Sequence, residues 1–123
     1  MQNDKSKFKD EFKKKVYRYI LKLIKFIDNL PKDRTTQIIS TQLLRSGTSI
    51  GANYFEARSS SSKKDFTNYF SIALKSANES MFWLAILRDV RKSDKGETNK
   101  LIQETSEIAK ILASSILTLK GRK

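Results

Sequence analysis

The stretch KSKFKDEFKKKVYRYILKLIKFIDNLP (residues 5–31) decides the architecture. Phe8, Phe12, Val16, Tyr19, Leu23, Phe26 and Leu30 recur at intervals of four and three, which draws one continuous apolar stripe down an α-helix. Ile20, Ile24 and Ile27 widen that stripe to a second seam, and lysines cover much of the remaining surface. The spacing predicts a helix over 5–29, ended by Pro31, whose ring disfavours the helical conformation of the residue before it.

Working outward, the same period returns three times. A second helix is expected over 33–57, capped by Asp33 or Thr35, with Ile39, Leu43, Ser46, Ile50 and Tyr54 on a narrow apolar face. Gly47 and Gly51 lie four apart within it; each weakens a helix by about 1 kcal/mol relative to Ala, so their use is to let a neighbour approach closely. The serine run at 59–62 breaks that helix, and Ser62 followed three positions later by Asp65 caps a third over 63–90. Its inward positions are Phe66, Tyr69, Phe70, Ala73, Ala77, Met81, Leu84 and Leu87, with Trp83 at a helix or subunit seam. The fourth, over 97–120, turns Leu101, Ile108, Ile111, Leu112, Ser115, Ile116 and Leu119 inward and ends at Gly121 as a C-cap before a basic tail. Three short connections force antiparallel neighbours, so residues 1–123 are expected as one all-α, up-down-up-down four-helix bundle. Each helix of this length spans about 37 Å.

Composition narrows the chemistry. The chain has no Cys and no His, which removes thiolate and Ser–His nucleophiles, Cys-ligated zinc and the Glu-x-x-His signature of di-iron bundles. No cofactor or metal is expected, and no enzyme. No apolar run is long enough for a membrane span, and the lysines of the first helix interrupt any signal-peptide pattern, so the expected compartment is the cytoplasm. Twenty-five Lys and Arg against thirteen Asp and Glu give a formal charge of +12. Such an excess points to a polyanionic partner, RNA or DNA or else an acidic protein, and counterion release rewards each cation placed against a phosphate. The candidate contacts are Lys7, Lys9, Lys13, Lys14, Lys15, Arg18, Lys22 and Lys25 on the first helix, with Arg58, Lys63, Lys64, Arg122 and Lys123 as a second cluster.

The second helix carries another pattern. Gln42, Arg45, Ser49, Asn53 and Glu56 form a polar line beside the apolar face, and Ser76 and Glu79 form a similar pair on the third helix. With the turn centred between Ser60 and Ser61, Arg45 comes level with Ser76 and within a turn of Glu79, and Asn53 falls near Asn68. The line reads first as a hydrogen-bonded seam that sets helix register, and second as a ligand or nucleic-acid site.

QLLRSGTSIGANYFEA (42–57), KKDF (63–66), IALKSANES (72–80) and FWL (82–84), in this order, resemble the signature of the 23S rRNA intervening-sequence proteins. The resemblance implies a four-helix bundle assembled as a homopentamer, and a relationship to the accessory variability protein of diversity-generating retroelements, which associates with a reverse transcriptase and nucleic acid. It marks Arg45, Ser49, Asn53, Glu56 and Glu79 as signature positions without assigning them a role. The expected function is therefore a basic, homo-oligomeric nucleic-acid-binding protein. The alternatives are a scaffold that docks a nucleic-acid enzyme such as a reverse transcriptase, and a metal-independent nuclease built on Arg45, Glu56 and Glu79.

Overall fold

A computed structural model describes the backbone of residues 4–121 and the side chains of residues 7–121. Four helices follow one another: α1 (Asp4–Asp28), α2 (Arg34–Ser59), α3 (Lys63–Asp89) and α4 (Lys95–Gly121). The order of contact is α2 with α3, α3 with α4, and α1 closing the ring against α2 and α4, as an antiparallel four-helix bundle requires.

The helix starts are chemical. Asp33 caps α2, accepting the Thr36 N–H at 3.3 Å and the Thr36 hydroxyl at 2.7 Å. That hydroxyl, helped by the backbone N–H and by Lys92 at 3.5 Å, holds the Asp33 carboxyl below the usual carboxylate range. Lys92 belongs to the α3–α4 turn, so this pair also joins the two connections at one end of the bundle. Ser62 caps α3 by accepting the Asp65 N–H at 3.0 Å. α4 starts two residues before the expected position, because Asp94 accepts the Glu97 N–H at 2.8 Å and draws Gly96 into the first turn. α2 continues to Ser59, past its expected end at 57, since Ser60 rather than the first serine of the run adopts the extended conformation. Gly121 is still helical and has no positive φ, so it is not the expected C-cap. The left-handed residue sits at the end of α3: Arg91 (φ 60) lets Lys92 N–H reach the Leu87 carbonyl at 2.9 Å, closing a Schellman turn.

The stripe of α1 is buried from Phe12 to Leu30, and it meets Leu43, Ile50, Tyr54, Phe70, Leu84, Leu87, Ile108 and Leu112 in one core. Two expectations fail. Phe8 is 55% exposed and Ile24 36% exposed. Phe8 is left out because α1 and α4 lie farther apart than the other neighbours, which leaves the start of the stripe beside an open cleft. Ile24 projects on the solvent side of the α1–α2 seam, where Ile20 and Ile27 are only half-buried.

The glycines do permit close approach, and to α1. A Cβ on Gly47 would collide with the Leu23 side chain, and one on Gly51 with the end of Ile20. Leu23 is fully buried and has nowhere to move, whereas half-buried Ile20 can swing outward. Across the α1–α4 seam, the Tyr19 hydroxyl lies 2.6 Å from the Thr105 hydroxyl, which donates to the Leu101 carbonyl. Tyr19 is therefore the donor of the pair. Burial pushes its pKa up to about 12.

Two predictions follow from this packing. Gly47→Ala lowers stability by about 1 kcal/mol, overpacking at Leu23 exceeding the gain in helix propensity, while Gly51→Ala is close to neutral; urea unfolding measures both. As pH rises from 10 to 12, unfolded tyrosine ionises while buried Tyr19 stays protonated, so the unfolded state binds fewer protons and stability falls. The loss amounts to about 2 to 3 kcal/mol by the top of that window. Tyr19→Phe costs about 1 kcal/mol at neutral pH and flattens this alkaline slope relative to the parent, as read from unfolding curves at successive pH values.

Candidate nucleic-acid interface

The α1 cations do not share one face. Lys14, Lys15 and Arg18 line a depression between α1 and α4 together with Phe8, Glu11, Phe12 and Ile111. Lys22 and Lys25 line another near the far end of α1, where Glu97 and Glu104 offset Lys100. Lys13 lies instead on the α2 side, 5.8 Å over the Phe55 ring, and Lys7 is exposed near the start of the helix. Two of these cations are already engaged by α4. Lys15 meets Glu107 at 2.9 Å and Lys22 meets Glu104 at 3.2 Å. Lys15 holds the Glu107 carboxyl below its usual range, chiefly through the hydrogen bond between them. The charge available to a partner is thus concentrated on Lys7, Lys14, Arg18 and Lys25.

Phe8 also borders a second group of cations, Lys9 and Arg58. They line a cleft of about 550 Å³ at the end of the bundle where α1 and α3 begin and α2 ends. Arg58 donates to the Tyr54 hydroxyl at 3.1 Å, and that hydroxyl donates to the Lys9 carbonyl at 3.4 Å. The Tyr54 ring packs edge-on against Phe12 at 5.1 Å and tilted against Phe70 at 5.8 Å. Lys110 of α4 completes the cationic rim. Sequence reasoning missed Lys110, since nothing in the α4 pattern places it beside α1 before the helices are docked. Lys63 and Lys64 sit in an adjoining depression with Asp65 and Lys120. Arg122 and Lys123 lie outside the described residues.

The polar line on α2 forms a distinct structure. Ser46 and Ser80 hydroxyls meet at 2.8 Å, and Ser76 donates to Ser49 at 2.8 Å. Asn53 turns back to its own helix, donating to the Ser49 carbonyl at 2.9 Å and hydroxyl at 3.0 Å. Arg45 pairs with Glu79 and also donates to Gln42 at 3.2 Å, while the Trp83 indole N–H donates to Glu79 at 2.9 Å. These pairs centre the α2–α3 turn on Ser62 and Lys63, two residues past the expected centre, which moves each α2 residue's partner on α3 by about one helical turn. The extra residues of α2, which runs to Ser59, cause the shift. Arg45 therefore faces Glu79 directly, Ser49 takes the place beside Ser76, and Asn53 does not reach Asn68. Glu56 is exposed and takes no part in the network. Arg45, Glu56 and Glu79 consequently do not converge. No buried side-chain nitrogen or oxygen among the described residues lacks a partner, so the seam presents no unfilled polar group to a ligand. Among those residues no acidic cluster could hold a metal ion, and no helix is long and apolar enough to cross a membrane.

The comparisons with known proteins agree with the signature spread over α2 and α3. The profile of the 23S rRNA-intervening sequence protein family matches residues 9–114. The chain belongs to this family. Among solved structures, the family bundle is similar to a protein of unknown function from the S23 ribosomal protein family of Bacteroides thetaiotaomicron VPI-5482. The two share 37% identity with a TM-score of 0.78, over 85% of this chain and 97% of the other. No curated protein matches. Belonging to the 23S rRNA-intervening sequence family places the Ser46–Ser80 seam and the Arg45–Glu79 pair within the family match, as it does nearly all of the cationic depression on α1.

The Arg45–Glu79 pair is 57% and 34% exposed, so its removal costs less than about 1 kcal/mol in stability. Its effect is read more sharply through Trp83, the one tryptophan of the chain. Glu79→Gln keeps an acceptor for the indole N–H and leaves the fluorescence maximum in place. Glu79→Leu removes the acceptor and shifts it.

Proposed function

We propose that this protein is a non-enzymatic nucleic-acid-binding protein that acts as a homo-oligomer, a homopentamer, and holds phosphate backbone on its Lys and Arg surfaces. The observation that carries this reading is a charge of +12 that the bundle does not neutralise internally. Among the described residues, ion pairs engage Lys15, Lys22, Arg45, Arg88 and Lys92, and leave Lys14 and Arg18 together in the α1–α4 depression. A ring of five such chains multiplies the self-repulsion, which bound anions relieve. Phosphate contacts of this kind supply affinity and salt dependence without reading sequence.

Assembly has its own support in the apolar side chains left in water. Ile38 and Phe82 are both more than half exposed, and Phe82 packs edge-on against half-buried Trp83 at 4.9 Å, the kind of apolar margin that a second copy covers. The same margin suits a protein partner such as a nucleic-acid enzyme, which is the second reading.

Native mass measurement is expected to give five times the 14.2 kDa chain mass after nuclease treatment, and additional nucleic acid before it. Affinity for labelled RNA or DNA should weaken on the order of a hundredfold between 50 and 200 mM salt, the response to about four phosphate contacts. Reversing Lys14 and Arg18 to Glu should remove about half of that slope. Monomeric mass, or weak binding indifferent to salt, overturns the reading; capture of one protein partner that survives nuclease and high salt favours the second.

A further inference from the structure

The cleft at the end of the bundle differs from the other cationic depressions in what forms its walls. Phe12, Tyr54, Phe66 and Phe70 make one side of it, with Phe66 and Phe70 stacked at 4.6 Å, and Ile111 and Leu119 line it from α4. Phe8 stands at its mouth, more than half exposed, its ring parallel to that of Phe12. The rim holds Lys9, Arg58 and Lys110, and among the described residues no carboxylate lines the cleft. Arg58 is anchored by the Tyr54 hydroxyl, so this cation is held in place before any ligand arrives. The cleft also shares Phe8, Phe12 and Ile111 with the depression that contains Lys14 and Arg18. An aromatic-walled cavity therefore opens directly onto a depression in which Lys14 and Arg18 outnumber the single carboxylate of Glu11.

Resting on the nucleic-acid reading above, we infer that the strand bound is single-stranded, with an unpaired base stacked on Phe8 and seated in this cleft. The phosphates on either side lie along Lys9, Arg58 and Lys110 in one direction and Lys14 and Arg18 in the other. Charge complementarity assigns an anionic occupant, and the aromatic wall assigns a flat one. In a duplex the bases are stacked inward and cannot enter, whereas each base of a single strand presents a face to an aromatic ring. The exposure of Phe8, which the helical period alone would bury, then has a use: it is a stacking platform at the point where the backbone track meets the cavity.

The test uses the full chain and three labelled probes in fluorescence anisotropy at one salt concentration: a twelve-nucleotide RNA, the same backbone with abasic sites, and a duplex of equal length. The single strand is expected to bind at least about tenfold more tightly than the abasic backbone and the duplex. Phe8→Ala should remove about that factor for the single strand alone, and Phe8→Trp should restore it. Since Phe8 is largely in water, circular dichroism should show both variants folded. Equal affinity for all three probes, or an unaltered single-strand affinity in Phe8→Ala, overturns base insertion while leaving phosphate binding intact. Failure to bind any probe removes the nucleic-acid reading as well. Dodecanoate that occupies the cleft without competing with RNA would also overturn the inference, assigning the cavity to an anionic lipid.

Discussion

The close docking of α2 on α3 is the constraint from which the rest of the bundle is built. Ser46, Ser76 and Ser80 are buried where longer side chains would hold the helices apart. Their hydroxyls are satisfied by each other, by Ser49 and by helix carbonyls, so the approach leaves no buried polar group without a partner. A hydroxyl pair has a narrow distance range, so it selects one register from the several that apolar packing would tolerate. That register then aligns Arg45 with Glu79 and Glu79 with Trp83. α1 closes over the result by a comparable device, placing Leu23 and Ile20 where Gly47 and Gly51 carry no side chain.

On the opposite side of α1 the packing rule changes. Large residues and a Tyr19–Thr105 hydrogen bond span the α1–α4 seam, with ion pairs from Lys15 and Lys22 outside them. Such a seam is wider, and towards the start of α1 it opens into the aromatic cleft. The cations of α1 are consequently divided by use: some staple α4, one covers Phe55, and the remainder face outward or rim the cleft. The tight seam holds the register, and the open one leaves room for a ligand.

Much of the fold was legible in residue order. Asp33 and Ser62 were identifiable as caps by residue type, and the buried members of the α1 stripe by spacing. The register of α2 on α3 was displaced by one turn because helix ends depend on which serine of a run leaves the helix, and the four serines are chemically alike. Thr98, Thr105 and Ala109 were missed as core positions. A hydroxyl or a methyl carries too little apolar signal to mark a buried face until its partner, here the Tyr19 hydroxyl for Thr105, is in view. The candidate site was legible as charge but not as shape.

By itself the sequence determined the four helices, their antiparallel order, the absence of histidine and cysteine chemistry, and the excess of positive charge, since these follow from period, short connections and composition. Only the tertiary structure decided which cations are neutralised across a seam and which remain available. It alone put Phe8 in water and brought Lys110 to the rim opposite Arg58. The reason is geometric: a helical period places a residue on a face of its own helix, but the distance between helices depends on the side chains of both. Whether that face meets a core, an ion pair or an open cleft is therefore not encoded in either helix alone.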